Sequence, residues 1–444
     1  MKDKELSLTD RAERYFEFAA LRTNWRTEIL AGITTFMTMA YIIFVNPSIL
    51  SQAGMPPAAV TAATCLAAAV GSLLMGFVAR YPIALAPGMG LNAYFTFSVV
   101  KGMGVSWQTA LGAVFLSGVA FLILTAVGIR QMIVSAIPRE LYSAVAAGVG
   151  LFIALIGFRA SGIIVPNAAT TVAIGDLRSP TALLAIFGLI LTAVLLTLRV
   201  HAAILLGVLA TWGLAVVTGT VHWQPQAYSV RDIAATAFQL DIRGALSLGA
   251  AEIVFVFLFV DLFDNVGTLV AVGKKAGLFG ENQEIPRINR ILYSDAIATV
   301  AGATAGTSTV VSYIESSAGV AAGGRSGVTA IVVGLLFGVA LFVAPLAGAL
   351  PESATAPALI IVGSMMMSAA AEIPWSEPDI AIPAFLTMLG IPLMFSIANG
   401  LAFGFSAWTL IRIVRGKFRE VNWMVYALTA LFLLRFWYMG KGGG

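Results

Sequence analysis

Little of this sequence is charged. Of its 444 residues, 26 are Lys or Arg and 22 are Asp or Glu, 11% together, while 59% are hydrophobic. A water-soluble chain of this size covers a large surface with polar groups, and so few charges cannot do that. The one cysteine, Cys65, excludes an internal disulfide and any multi-cysteine metal site. Histidine occurs twice, as His201 and His222, each beside the end of an apolar run, so no histidine metal centre is expected. The N-terminal segment MKDKELSLTDRAERYFEF is charged and lacks an apolar core and a cleavage pattern, so no removable leader is expected.

What the sequence does contain is apolar runs of membrane-crossing length. Mean hydropathy is +0.92, and one crossing takes about 20 apolar residues. Fourteen runs qualify, from 29–52 to 398–414. The expected fold class is an all-α polytopic membrane protein. A further apolar stretch, Val421–Met439, is expected to lie on the membrane surface. Leu8–Leu30 mixes Arg11, Arg14, Arg22 and Arg26 with Tyr15, Phe16, Phe18 and Trp25, as an interfacial helix does. With the N-terminus inside, only Lys101, Arg159, Arg178, Arg231 and Arg243 of the basic residues fall outside. That bias is strongly positive-inside, and it places both termini in the cytoplasm.

Two local similarities suggest an internal repeat. Asn46 at the end of the first span matches Asn265 in the eighth at an offset of 219, and Pro87 in the third matches Ser308 in the tenth at 221. Two halves of seven spans each would be inverted relative to one another. The third span carries Ala84-Leu85-Ala86-Pro87-Gly88-Met89-Gly90, and the tenth carries Thr304-Ala305-Gly306-Thr307-Ser308-Thr309. Both runs disfavour continuous helix at mid-membrane depth. Broken backbone is tolerable there only when buried in protein or lining a cavity. Each break would be followed by a half-helix whose amides face the membrane centre, the alternative being kinked helices packed through small residues.

Ionisable groups inside such spans are costly, about 2.5–3.5 kcal/mol for Asp at a helix centre. Four stand out: Asp261 and Asp264 in the eighth span, Asp295 in the ninth and Glu315 in the tenth. Glu252 falls near a helix end and is set aside. Asp261 and Asp264, three apart, project from one helical face. Two close carboxylates in low dielectric resist ionising together, which suits a group that takes up and releases a proton. The alternative for each carboxylate is a structural hydrogen bond between helices. Asn92 and Glu315 lie just beyond the two breaks, where an amide and a carboxylate can meet the edge of a flat heterocycle. Gly90, Ser312 and Tyr313 lie in the same broken segments and join them as candidate binding residues. Tyr94, Phe95 and Phe263 are candidates for stacking on such a ring.

Three segments resemble the AzgA-like purine permeases of the nucleobase-transporter group: Ala86–Tyr94, Val260–Leu269 and Thr307–Gly319. The opening Arg22–Tyr41 fits the same branch, and the similarity runs from about residue 20 to 440. The resemblance implies uptake of adenine, guanine, hypoxanthine or xanthine with protons, driven by the proton gradient and without a cofactor. It implies two inverted seven-span repeats with short extended segments in spans three and ten. A core would comprise 29–130 and 248–349, and a gate 141–218 and 355–414. The remainder would be a cytoplasmic N-terminus (1–28), an extracytoplasmic linker (219–247) and an interfacial tail (415–444). By the same resemblance Glu315 and Asn92 bind the base, and Asp261 and Asp264 divide substrate contact and proton translocation, with Glu315 a third candidate for proton coupling. Against the uracil permeases, Asp264 and Glu315 stand where that branch has two glutamates, and Thr268 replaces a histidine.

The expected setting is a bacterial-type cytoplasmic membrane, with the lipid bilayer, protons and a purine as partners. No nucleic acid is expected, and a homodimer through the gate is compatible with the resemblance. In a same-fold carrier of anions such as sulfate or bicarbonate, Asp261, Asp264 and Glu315 would repel the substrate. A membrane prenyltransferase using Asp261 and Asp264 with magnesium would need a second acidic cluster and basic residues for diphosphate, and neither lies near the membrane centre.

Overall fold

With no water to bond their backbones, apolar runs in lipid close their hydrogen bonds internally as helices. The computed structural model describes residues 7–128, 138–224, 234–278, 286–347 and 350–439. In its first half the spans are Trp25–Leu50 (span 1), Pro57–Leu74 extended by a wider turn to Ala79 (span 2), a broken span 3, Trp107–Ala126 (span 4), Arg139–Ala160 (span 5), Pro180–Thr197 (span 6) and Ala203–Val217 (span 7). The second half comprises Leu248–Ala276 (span 8), Ile288–Ala305 (span 9), a broken span 10, Gly327–Val343 (span 11), Glu352–Met366 (span 12), Pro378–Leu393 (span 13) and Ile397–Val414 (span 14). Local chemistry sets the starts. Asn24, Ser106, Ser179, Ser326 and Ser396 each cap a helix by accepting a backbone N–H in its first turn.

Among the described residues four strands accompany the helices: β1 (Leu85–Pro87), a hairpin of β2 (Ile164–Asn167) and β3 (Thr171–Ile174), and β4 (Val310–Ser312). β1 pairs antiparallel with β4, Leu85 opposite Ser312, Ala86 opposite Val311 and Pro87 opposite Val310. This ribbon holds the two broken spans together at the centre of the molecule. Its local two-fold relates Leu85 to Val310, an offset of 225, so Pro87 corresponds to Ser312 and not to Ser308. The expected pairing was four residues out because the polar Thr307–Thr309 leads into the strand and is not the strand itself. The halves are nonetheless inverted as expected.

Spans 1–4 pack with spans 8–11, and spans 5–7 with spans 12–14. Within the second group, spans 5 and 12 approach so closely that a Cβ on Gly150 would lie 2.7 Å from the Gly363 carbonyl oxygen. In the first group, the fully buried Glu28 ties span 1 to span 11. Its carboxylate accepts from the Thr23 hydroxyl (2.7 Å), the amides of Arg325 (3.0 Å) and Ser326 (3.1 Å), and the Thr329 hydroxyl (2.5 Å).

Two terminal expectations need correction. The N-terminal segment is not one helix to Leu30 but two short ones, Leu8–Tyr15 and Phe18–Leu21. Glu17 and Arg22 adopt left-handed backbone conformations and break it. Glu17 then bridges Arg80 and Arg287, both at 3.2 Å, fastening the segment to the ends of spans 2 and 9. At the other end, Trp423–Met439 does not lie across the bundle. Thr429 meets Thr409 (2.8 Å) and Phe432 meets Phe405, so this helix runs back antiparallel to span 14. Phe432 also packs on Phe255 and Phe259 of span 8. Part of the linker, 225–233, lies outside the described residues.

Candidate functional site

After β1 the chain turns at Gly88 into a short helix, Met89–Ala93, which continues as a wider π-type helix over Tyr94–Gly102. After β4 it turns at Tyr313–Glu315 into Ser316–Ala321. This second half-helix has six residues, so it offers free amides and little macrodipole, less than the sequence led one to expect.

Glu315 sits at the N-cap of that helix, 7% exposed. Its Oε1 accepts a hydrogen bond from the Tyr41 hydroxyl at 2.5 Å. Tyr41 stands at the break between Trp25–Met39 and Ile42–Leu50 of span 1. Asp264 reaches the same region from span 8. A Cβ added to Gly88 would lie 3.6 Å from Asp264 Oδ2 and 2.8 Å from Val311 Cγ2. Spans 8 and 10 thus each bring an acid toward the ribbon.

The two asparagines differ. Asn265 is fully engaged: its amide nitrogen donates to Asp261 Oδ1 (2.7 Å), and its oxygen accepts the Ser312 N–H (2.7 Å). Asp261, fully buried, therefore supports Asn265 and, through it, β4. Asn92, also fully buried, has neither its amide nitrogen nor its oxygen hydrogen-bonded among the described residues. The Ser312 hydroxyl is buried and unpartnered as well. Unsatisfied buried polar groups are rare, and each calls for an explanation such as a ligand or water.

Other candidates are placed differently. The Tyr313 hydroxyl donates to the Pro87 carbonyl at 2.5 Å and so staples one broken span to the other. Gly90 lies against span 5, where a Cβ would run into Val149 Cγ1. Tyr94 and Phe95 do not offer open faces; both are fully buried and pack on Phe257, at ring-centroid distances of 5.2 and 6.3 Å. Phe263 belongs to span 8, but its side chain lies outside the described residues. Among the described residues no three His, Cys, Asp or Glu side chains gather closely enough to hold a metal ion.

Sequence reasoning passed over Tyr41 and Asn265. Asn265 carried a signal, since it had already been matched to Asn46. Tyr41 carried none apart from its place in the opening motif, because an aromatic in an apolar run ordinarily means packing.

Residues 26–405 match the model of the Permease family. The chain is 47% identical to the guanine/hypoxanthine permease PbuG of Bacillus subtilis strain 168, over 95% of this chain and 98% of that one. It is 45% identical to the adenine permease AdeQ of Escherichia coli strain K12, over 95% of each chain. Among solved structures, the transmembrane domain of the cyanobacterium bicarbonate transporter BicA aligns with a TM-score of 0.59 at 14% identity, over 86% of this chain and 97% of that one. That last likeness concerns the fold alone. With the family model spanning most of its length and two relatives nearly half identical from end to end, the chain belongs to the permease family, as a multi-pass membrane transporter.

Proposed function

We propose that this permease imports purine nucleobases together with protons across the cytoplasmic membrane. Spans 1–4 and 8–11 form a core that carries the substrate and moves against a gate of spans 5–7 and 12–14. The Asn92 amide and the Ser312 hydroxyl bond the base, the backbone at Gly90 lies alongside it, and Glu315 accepts from its ring N–H groups. Asp264 exchanges the coupled proton, as a buried carboxyl in a span is suited to do. Asp261 and Tyr313 act on the site through Asn265 and Pro87. The N-terminus faces the cytoplasm, and the helix Trp423–Met439 carries the chain back into the membrane beside span 14.

One observation carries the proposal: two buried polar side chains without partners among the described residues, Asn92 and Ser312, sit on broken spans that also bring in Glu315. Bicarbonate carriage on the shared fold fits less well, because Asp264 and Glu315 would repel an anion. Uptake of labelled hypoxanthine, guanine and adenine in cells lacking their own purine carriers tests it. At least one base accumulates, and a protonophore abolishes accumulation. Asp264→Asn retains binding but loses accumulation against a gradient. Absence of purine uptake by the wild-type chain would overturn the proposal.

A further inference from the structure

A three-residue strand at mid-membrane has two edges, and the groups on the outer one must be hydrogen-bonded too. Across the ribbon, the Tyr313 N–H donates to the Ala84 carbonyl (3.0 Å) and the Gly88 N–H to the Thr309 carbonyl (2.9 Å). That alternation turns Leu85 and Pro87 of β1, and Val310 and Ser312 of β4, toward the outer edges. Pro87 has no N–H, and its carbonyl takes the Tyr313 hydroxyl. The Ser312 N–H is taken by Asn265.

Leu85 and Val310 are served by one hydroxyl each. The Leu85 N–H donates to Ser72 Oγ at 3.0 Å, and the Ser72 hydroxyl donates back to the Leu85 carbonyl at 3.1 Å. The Val310 N–H donates to Thr299 Oγ1 at 3.2 Å, and that hydroxyl donates back to the Val310 carbonyl at 3.0 Å. Ser72 is on span 2 and Thr299 on span 9, matching places in the two halves. Serine and threonine in helices commonly return the hydroxyl to their own helix one turn back, as Thr64 and Thr304 do here. Ser72 and Thr299 instead give theirs to the strands, and both are fully buried.

We propose that Ser72 and Thr299 are a mirrored pair of positioning residues for substrate binding. Each clasps the first residue of one strand and sets the depth of the segment that follows: Gly88, Gly90 and Asn92 after β1, Ser312 and Glu315 at and after β4. The pair acts through the strands and rests on the purine site proposed above.

The test measures concentration-dependent purine uptake in carrier-deficient cells, normalised to the amount of protein in the membrane. It compares the wild type with Ser72→Ala and Thr299→Val, and with the hydroxyl-retaining Ser72→Thr and Thr299→Ser. Loss of either hydroxyl raises KM about tenfold or more with a much smaller change in maximal rate. The hydroxyl-retaining variants recover most of the wild-type KM. Ser72→Ala, the smaller change, carries the test should Thr299→Val not accumulate. Wild-type uptake with unchanged KM in the hydroxyl-less variants, or a fall in maximal rate alone, overturns the positioning role and leaves the purine site standing. No uptake by the wild type overturns both.

Discussion

Tyr41 and Glu315 lie 274 positions apart, and the tyrosine hydroxyl donates to the Glu315 carboxyl at 2.5 Å. The bond joins the break in span 1 to the turn after β4, so one half of the repeat orients the acid supplied by the other. A hydrogen bond to a charged group contributes about 1.5–3 kcal/mol. Tyr41→Phe keeps the ring and removes the donor, so purine affinity should fall roughly tenfold or more while the chain still reaches the membrane. Equilibrium binding alongside membrane abundance checks this.

Asn92 and Asn265 should behave oppositely. Asn92→Ala removes an amide with no partner among the described residues, so the unfolding temperature in detergent should hold while purine binding weakens. Asn265→Ala strands the Ser312 N–H and removes one bond to Asp261 Oδ1, a loss of about 1–3 kcal/mol. Its unfolding temperature should drop before any ligand is added. Thermal unfolding of both variants, with and without purine, separates the roles.

Gly90 and Val149 set how closely the half-helix of span 3 approaches span 5. Gly90→Ala drives a methyl group into Val149, an overpacking cost of about 1–3 kcal/mol. Uptake should fall, and Val149→Ala in the same chain should restore part of it. Failure of the second substitution to rescue would mean that the contact does not govern the motion.

On the linker before span 8, Asp241 accepts from the Gly244 N–H (2.9 Å) and the Thr109 hydroxyl (2.8 Å). Those bonds hold its carboxyl below the ordinary carboxylate range. A carboxyl lowered on folding adds stability above its ordinary value, and this is lost as pH falls through the lowered one. The stability advantage of the wild type over Asp241→Asn should therefore be present at neutral pH and shrink in acid. Unfolding temperatures of both chains across an acid series measure that difference.

The features legible in the sequence were those whose physics is local. Asp264 and Glu315 stand out because lipid disfavours ionisable groups, and Pro87-Gly88 announces a break whatever surrounds it. Residues whose meaning depends on a distant partner were not legible. Tyr41 looks like packing until Glu315 is beside it, and Ser72 and Thr299 look like ordinary helical hydroxyls until the strands are built. The direction of the C-terminal helix was hidden for the same reason: an apolar stretch does not record which surface it packs against.

Calorimetric titration of hypoxanthine, guanine and adenine into the purified protein and its Glu315→Gln variant tests the central claim most directly. The wild type should bind at least one of these bases. The variant should bind it at least roughly tenfold more weakly at an unchanged unfolding temperature, since a carboxylate that accepts from the base loses its charge. Equal affinity in the two proteins would contradict a substrate site built on the broken spans.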